Sequence, residues 1–232
     1  MRYFGTLLSS ENEHEWVTES VRMITDSIIS KLDYKDRFTL AISGGTTPEK
    51  VFIELAESKL ITPHLWEKVD VFWVDERLVE RSNLESNAGN ALKILGKLSS
   101  RFFPMFDADL GENRSLELYV DHLMTIDLIN GIPSFDLILL GMGEDGHTAS
   151  LFPGTEGLNE LDEHVIIHDV PQLCKPRMTL TFPVLKQAQQ IIILFHGEKK
   201  IKILNDLILN KGEYPIAKLL DSSANKIWTF YE

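Results

Sequence analysis

The sequence is poor in cysteine. Cys174 is the single cysteine among 232 residues, so no disulfide can form within the chain. Chains without disulfides are typical of reducing compartments, and we therefore expect a cytoplasmic protein. A lone cysteine outside any redox or metal motif is more often a packing residue than a nucleophile, and we expect Cys174 to be one.

Long apolar runs are also absent. No stretch reaches the roughly 18 uninterrupted apolar residues that a membrane-spanning helix needs, so we expect no membrane segment. The first residues, MRYFGTLLSSENEHEW, lack the apolar core and the small-residue cleavage site of a secretory leader. We therefore expect a soluble protein that is not secreted.

An excess of positive charge is missing too. The chain has 23 Lys and Arg residues against 35 Asp and Glu, which gives a formal net charge of -12. Nucleic acids and anionic membranes bind to basic surfaces, so we expect neither as a partner. A phosphorylated small molecule would have to meet a local cluster of Arg and Lys side chains.

The apolar residues that are present fall into short runs rich in β-branched side chains. Most of these runs are apolar on both faces, which is the pattern of strands covered by helices on either side. The predicted strands are Phe38–Ser43, Val69–Asp75, Phe135–Gly141, Val165–His168, Ile191–Gly197 and Ile227–Tyr231. The predicted helices between them include Pro48–Ser58, Asn87–Leu95, Arg114–Ile129 and Glu198–Leu209. The alternation predicts an α/β fold with a doubly wound, mainly parallel sheet and helices on both faces.

No linker, repeat or low-complexity tract interrupts the chain, so we expect one domain over residues 1–232. A further helix is predicted near the start. Ser10 and Glu13 have the spacing of a capping box, and apolar residues follow at helical intervals from Trp16 to Leu32. In a doubly wound sheet, ligands bind where strands end, so the loops that follow strands are the places to search for a site.

A glycine loop follows the first buried strand. Ser43, Gly44, Gly45 and Thr46 precede a helix for which Thr47 is the predicted N-cap. The glycines let backbone N–H groups approach an anion and the helix adds positive potential, so this loop is a candidate phosphate cradle. The lysine of a P-loop is missing, which argues against nucleoside triphosphates. Two alternatives stay open here: an ordinary glycine turn, and a nucleophile elbow with Ser43 as the nucleophile.

Charged residues follow the next strand. Asp75, Glu76 and Arg77 stand at its carboxyl end. A guanidinium group suits bidentate recognition of phosphate or carboxylate. A solvated surface cluster is the alternative, but the position at a strand end favours a binding site.

The segment GMGEDGHTASLFP, from Gly141 to Pro153, carries two competing patterns. Its three glycines fit the G-x-G-x-x-G fingerprint of dinucleotide sites, with Asp169 at a suitable distance for a ribose contact. A dinucleotide fold needs a long helix after the third glycine, and Pro153 and the glycines after it leave room only for a short one. We therefore reject the dinucleotide interpretation.

The same segment presents a histidine. His147 lies in the glycine-rich turn, and Asp145 precedes it by two residues. A nearby carboxylate can fix the tautomer of an imidazole, so His147 is a candidate general base. His164 and His168 have the spacing of a helical metal pair, but the residues between them predict a strand, which separates the rings. We expect no metal site.

Basic residues follow later strands. Arg177 precedes a threonine-rich apolar run, and Lys199 and Lys200 stand at the start of a predicted helix. A lysine is unfavourable beside the positive end of a helix, and a bound anion would offset that cost.

Together these motifs resemble those of the 6-phosphogluconolactonase family, within the broader group that includes the glucosamine-6-phosphate deaminases. The matching features span nearly the whole chain in the same order, and the central segment is the most specific of them. They are SGGTTP (Ser43–Pro48), DER (Asp75–Arg77) with Ser86 and Asn87, GMGEDGHTASLFPG (Gly141–Gly154), PRMTLT (Pro176–Thr181) and the G-x-x-K of Gly197–Lys200.

The resemblance implies a Rossmann-like fold and an enzyme that hydrolyses 6-phospho-D-glucono-1,5-lactone to 6-phospho-D-gluconate in the oxidative pentose phosphate pathway. It implies no metal or organic cofactor, a phosphorylated sugar lactone as the small-molecule partner, and a monomer or small homo-oligomer. His147 would activate water and then protonate the leaving ring oxygen, with Asp145 or Asp75 holding the imidazole. The residues that would bind the phosphate or neighbouring oxygens are Ser43, Gly44, Gly45, Thr46, Arg77, Arg177 and Lys200.

Two other functions share this pattern. The deaminases read DGHIAFNEP where this chain reads DGHTASLFP, so Phe152 stands in place of a glutamate, and Arg77 replaces a tyrosine. Both departures favour a lactonase over a deaminase. Sugar-phosphate sensor domains are similar in fold without catalysis, but the chain contains nothing that resembles a DNA-binding segment.

Overall fold

The computed structural model describes residues 4–232, and in this part of the chain strands and helices alternate. Residues 1–3, which begin the segment MRYFGTLLSSENEHEW discussed above as lacking a leader pattern, lie outside the described residues. The strands are β1 (Thr6–Ser9), β2 (Phe38–Ile42), β3 (Val69–Trp73), β4 (Asp75–Arg77), β5 (Arg101–Phe103), β6 (Leu128–Ile129), β7 (Ile132–Pro133), β8 (Leu137–Gly141), β9 (Val165–Val170), β10 (Lys175–Leu180), β11 (Gln190–His196) and β12 (Asn225–Tyr231). The α-helices are α1 (Glu13–Leu32), α2 (Thr46–Glu57), α3 (Pro63–Trp66), α4 (Asn87–Leu95), α5 (Gly111–Leu123), α6 (Phe182–Gln187) and α7 (Glu198–Ile208). Three 3₁₀ helices span Glu156–Asn159, Pro171–Leu173 and Pro215–Asp221.

The main sheet has seven strands in the order β1-β12-β11-β8-β2-β3-β5, and all its neighbours are parallel. Every residue of β2 and β3 is buried, so the central strands are covered on both faces. The helices α1, α2 and α4 pack side by side in sequence. The predicted α/β fold with a mainly parallel sheet is confirmed.

The direction of winding reverses in the middle of this sheet. From β2 the chain moves outward to β3 and β5, and it then returns to β8 on the other side of β2 before adding β11 and β12. The point of reversal therefore lies between β2 and β8. The loops after these two strands diverge and leave a crevice at their carboxyl ends, which is where open α/β sheets bind ligands.

A small antiparallel sheet, β4-β10-β9, lies at the same edge. Val74 joins the two sheets, since its N–H donates to Ile42 O at 3.0 Å and its carbonyl accepts from Leu180 N at 2.8 Å. The expectation that Val165–His168 belongs to the parallel sheet is therefore wrong. A short apolar run predicts a strand but not its partners, and this one pairs with β10.

The start of α1 differs from the predicted capping box. Asn12 is the N-cap and accepts from Glu15 N at 3.0 Å, while the Glu15 carboxylate accepts from Glu11 N at 2.6 Å. Ser10 instead extends the pairing of β1, because its N–H donates to Phe230 O at 2.9 Å. The predicted motif was of the right kind but two residues too early.

Two further helix boundaries are corrected. The N-cap of α2 is Gly45 and not Thr47, which lies inside the first helical turn. Helix α5 ends at Leu123, well before the predicted Ile129, because Leu128–Ile129 pairs with β7 in a two-stranded hairpin. The predicted bounds of α4, Asn87–Leu95, are confirmed.

Two expectations from composition have different outcomes. Cys174 is exposed and has a φ of 52°, so it is not the packing residue expected of a lone cysteine. Among the helices of residues 4–232, none combines the length and the apolar character needed to span a bilayer.

Candidate active site

The loops after β2, β8 and β11, together with β4, surround one cavity of about 250 Å³. The loops meet there because the carboxyl ends of these strands share one edge of the main sheet. Eight of the ten site residues predicted from the sequence line the cavity: Ser43, Gly44, Gly45, Thr46, Asp75, Arg77, His147 and Lys200. The other two, Asp145 and Arg177, lie outside the lining.

The loop after β2 forms an open helix N-terminus. Gly45 is the N-cap of α2 with a φ of 101°, and among residues 4–232 no side chain caps the N–H groups of the first turn. Unpaired N–H groups and the helix dipole attract anions. Gly44 must be a glycine, because a Cβ atom there would overlap the side chain of Asn87. These features are compatible with a phosphate cradle, and phosphate binding by this loop stays a prediction.

A lysine faces the cradle from the start of α7. Lys200 is half-buried, and this burial lowers the pKa of its ammonium group, with partial compensation from the charge of Glu144. Within residues 4–232 the Lys200 ammonium makes no hydrogen bond or ion pair, whereas its neighbour Lys199 donates to Glu144 Oε2 at 2.6 Å. Lys200 therefore has a charge available for a bound anion.

Two arginines lie opposite one another in the small sheet. Arg77 on β4 pairs in register with Arg177 on β10. Burial lowers the pKa of the Arg177 guanidinium, and the charge of Arg77 lowers it further. No salt bridge to either is found in the described chain, and the buried Nε atom of Arg77 has no hydrogen-bond partner. Facing like charges are unfavourable in a sheet, and an anion near them would relieve this repulsion.

His147 is held from two sides. Its Nδ1 lies 2.6 Å from Asp145 Oδ1, and its backbone N–H donates to the same oxygen at 3.1 Å. The ring of Phe152 stacks on the imidazole, with 3.9 Å between centroids and 25° between planes. The shared carboxylate favours the tautomer with the proton on Nδ1, which leaves the Nε2 lone pair free.

The turn that carries His147 is tightly closed. Gly143 N donates to His147 O at 2.9 Å, and Gly146 N donates to Gly143 O at 3.0 Å. A Cβ atom at Gly143 would overlap His147 Nδ1 and lie 2.8 Å from Asp145 Oδ1. Just beyond the turn, Ala149 has a φ of 50°, a conformation rare for a residue with a side chain. The backbone here is thus shaped around the imidazole.

Asp75 is oriented by other residues. Its Oδ2 accepts from Ser150 Oγ at 2.6 Å, and Asn87 Nδ2 donates to its backbone carbonyl at 3.0 Å. In the described chain Asp75 makes no hydrogen bond with His147. Of the two carboxylates that the sequence offered as partners of the imidazole, the structure pairs Asp145 with it. The role of Ser150 was missed, because nothing in the sequence relates it to Asp75.

Glu76 fixes the position of neighbouring residues of the site through hydrogen bonds. Its buried carboxylate accepts from the backbone N–H groups of Arg77, Asn87 and Ala88, each at 2.7 Å, and from Ser86 Oγ at 3.2 Å. Burial raises the pKa of Glu76, and the backbone donors oppose that rise. The carboxylate thereby caps α4 and holds Asn87 against Gly44 and Asp75. The sequence analysis did not identify this role, although Ser86 directly before α4 is a residue type preferred at an N-cap, and its hydroxyl accepts from Gly89 N at 2.9 Å.

Two rival chemistries receive no support from the geometry. Ser43 is absent from the residues with positive φ, and its hydroxyl accepts from Gly141 N at 3.2 Å, unlike the strained, exposed serine of a nucleophile elbow. After Gly146 only the 3₁₀ helix Glu156–Asn159 precedes β9, so the long helix of a dinucleotide site is missing from this segment. Across residues 4–232, no group of three or more His, Cys, Asp or Glu side chains is placed to hold a metal ion.

Comparison with known proteins places this site in a family. The sequence profile described as "Glucosamine-6-phosphate isomerases/6-phosphogluconolactonase" matches residues 11–228. A 6-phosphogluconolactonase of Chlamydia muridarum is 37% identical over 184 residues, covering 78% of this chain and 70% of the relative. One from Synechocystis is 31% identical over 226 residues, covering 94% of this chain and 91% of the relative.

Solved structures of 6-phosphogluconolactonases are also similar to this chain over nearly its whole length. The 6-phosphogluconolactonase of Thermotoga maritima superposes with a TM-score of 0.82 at 26% identity and covers 98% of this chain and 99% of its own. That of Trypanosoma brucei has a TM-score of 0.87 at 25% identity and covers 100% and 97%, respectively. The chain therefore belongs to the glucosamine-6-phosphate isomerase and 6-phosphogluconolactonase family.

Proposed function

We propose that the protein hydrolyses 6-phospho-D-glucono-1,5-lactone to 6-phospho-D-gluconate, a step of the oxidative pentose phosphate pathway. The observation that carries this proposal is the His147–Asp145 pair beside a cavity that also contains Lys200 and the Gly44–Thr46 cradle. The relatives and solved structures named 6-phosphogluconolactonase support it.

His147 supplies the base. Its Nε2 takes a proton from water while the water oxygen attacks the carbonyl carbon of the lactone. When the tetrahedral intermediate collapses, the bond from that carbon to the ring oxygen breaks, and Nε2 returns its proton to the ring oxygen. The product is an open-chain carboxylic acid, which ionises and releases one proton. A positioned general base contributes about 10²- to 10⁴-fold to such a reaction.

Asp145 supports the base by fixing its tautomer and stabilising the imidazolium that forms in the intermediate. Asp75 has a different place in the proposed site. Its carboxylate lines the cavity and is fixed by Ser150 and Asn87, so it is placed to accept a hydrogen bond from the attacking water or from a sugar hydroxyl group.

The phosphate binds away from the imidazole. Ser43, Gly45, Thr46 and Lys200 all line the cavity, and their N–H, hydroxyl and ammonium groups are the donors that bind the phosphate. Arg77 closes the rim, with Arg177 behind it. Binding energy from this remote group orients the lactone carbonyl toward His147.

Acid release from freshly generated phosphogluconolactone tests the proposal. We expect release far above the uncatalysed rate with the native protein, and a kcat about 10²- to 10⁴-fold lower for His147→Ala. His14→Ala is the matched control, because that histidine is exposed on α1 and outside the cavity. A native protein that leaves the lactone at its uncatalysed rate would refute the proposal.

Two further assays separate the alternatives. A deaminase releases ammonia from glucosamine 6-phosphate, and we expect none, since Phe152 occupies the position of the deaminase glutamate and stacks on His147. A serine hydrolase would lose all activity in Ser43→Ala and be inactivated by a serine-directed phosphonate. We expect neither, because the Ser43 hydroxyl is engaged with Gly141.

A further inference from the structure

A tyrosine far from every sequence motif packs against the catalytic turn. Gly146 is buried with a φ of 77°, and a Cβ atom there would lie 2.7 Å from both Cβ and Cδ1 of Tyr214. Two residues further on, Ile216 N donates to Gly146 O at 3.0 Å. The segment from Tyr214 to Ile216 thus holds the peptide unit that directly precedes His147.

The opposite edge of the same ring is also fixed. Gly212 has a φ of 73°, and a Cβ atom there would lie 2.6 Å from Tyr214 Cε2. The Tyr214 hydroxyl donates to Asp206 Oδ2 at 2.8 Å, and Lys202 Nζ donates to the same oxygen at 2.7 Å. The ring therefore lies between two glycine backbones and is bonded to α7 at its tip.

Helix α7 contacts the catalytic turn at its other end as well. Lys199 donates to Glu144, which lies within the turn, and Lys200 projects into the cavity. Asp206 lies further along the same helix and holds Tyr214. Helix α7 therefore carries the phosphate-binding lysine, Lys200. Through Asp206 it also fixes Tyr214, which packs against the turn that holds His147.

We propose that Tyr214 is a positioning residue for His147: its ring, held by Asp206 and by the backbone of Gly212, presses on Gly146 and sets where the imidazole meets the lactone. The inference rests on the proposed lactonase function. Catalysis depends on near-attack geometry, and a displacement of about 1 Å costs about 10²-fold in rate. Tyr214 is outside the lining of the cavity, so it acts through the turn and not on the substrate.

The expected signature is a split between kcat and KM. In Tyr214→Ala the support behind Gly146 is lost, and we expect kcat to fall at least about 10-fold. The cradle on α2 does not depend on Tyr214, so KM should stay within about twofold of the native value. Tyr214→Phe keeps the ring between the two glycines and should recover most of the lost kcat.

Steady-state kinetics on phosphogluconolactone make the test, with active protein counted by its binding of 6-phosphogluconate. The matched control is Tyr34→Ala, because Tyr34 is an exposed tyrosine in the turn between α1 and β2, outside the cavity. Counting molecules that bind product removes the effect of unfolded protein from kcat. A merely structural role for Tyr214 would lower the number of binding-competent molecules and leave kcat for each of them unchanged.

The outcomes separate the two proposals. If the native protein has no lactonase activity, both the proposed function and the role of Tyr214 are refuted. An active native protein whose Tyr214→Ala variant keeps the native kcat, or whose Tyr214→Phe variant recovers nothing, overturns the role of Tyr214 and leaves the lactonase assignment standing.

Discussion

His147 has little conformational freedom, because Asp145 fixes one ring nitrogen and Phe152 covers one face. The third constraint is the backbone of Gly143, which approaches the ring so closely that no side chain fits between them. Catalytic groups held within about 0.5 Å of their productive position are the ones that react efficiently. Gly143 is therefore the glycine of the central segment whose small size the position of the imidazole requires.

This close approach gives a prediction for Gly143→Ala. The new methyl group would displace both His147 and Asp145, and we expect kcat to fall about 100-fold or more. Gly141→Ala is the comparison, because a Cβ atom there has no protein neighbour within 4 Å and its φ is not positive; Gly141 lines the cavity, so an effect of its added methyl group on substrate binding falls on KM. Its kcat should stay within a few fold of the native value. Equal losses in the two variants would show that the contact with His147 is not what makes Gly143 necessary.

At the residue scale, the sequence predicted the groups that stand in motifs and missed those that meet only in space. His147 with Asp145, and the cradle with Lys200, follow strand ends and could be found by position. The contact of Ser150 with Asp75 joins residues 75 positions apart, and the stacking of Phe152 on His147 was not predicted. Tyr214 belongs to no motif at all. Such partners depend on how distant loops pack, which spacing does not encode.

At the scale of elements, caps decide where the helices begin. The predicted box at Ser10 and the observed one at Asn12 make different predictions for stability. Asn12→Ala should lower the free energy of unfolding by about 1 kcal/mol, because one N–H group of the first turn of α1 loses its acceptor. Ser10→Ala should change it by less than about 0.5 kcal/mol, since the bond of Ser10 to β12 uses its backbone. Urea unfolding of both variants measures these losses. A larger loss of unfolding free energy in Ser10→Ala than in Asn12→Ala would support the capping box predicted at Ser10.

The sequence located the buried strands well because their apolar runs are long and lie between helices. It did not reveal the small sheet, since β4 is only three residues long and β9 resembles a parallel strand in composition. Pairing with β10 makes these segments strands, and pairing is a property of the folded chain. Position along the sheet was predictable only for segments that follow the βαβ pattern.

At the scale of the whole molecule, one carboxylate ties three strands together. Asp70 on β3 accepts from Arg37 Nε at 2.8 Å, ahead of β2, and from Arg101 Nε at 2.6 Å on β5. Burial opposes the ionisation of Asp70, but the two guanidinium groups outweigh it and hold its pKa below the ordinary value of 3.8. The stability this group contributes is fully present above that value and is lost as the pH falls through the lowered pKa.

Asp70→Asn should therefore lower the free energy of unfolding at pH 7 by about 1 to 2 kcal/mol, a modest figure because both arginines are partly exposed. The difference from the native protein should shrink as the pH falls below 3.8. Urea unfolding at pH 7 and near pH 3 makes the comparison. Asp26→Asn, at an exposed pair on α1, is the control and should change little at either pH. If Asp70→Asn lowers the free energy of unfolding by the same amount at both pH values, the lowered pKa of Asp70 is contradicted.

The strand order has a consequence for how the molecule is made. Strand β1 lies at the edge of the main sheet, and within residues 4–232 its partner there is β12, near the other end of the chain. Because all the other strands of the main sheet lie between β1 and β12 in the chain, β1 leaves the ribosome well before its partner does. Its four residues are exposed even in the finished sheet, and they contribute little to any early core. The addition of β1 to β12 is thus a late event, and the six strands from β2 to β12 of the main sheet can assemble before it.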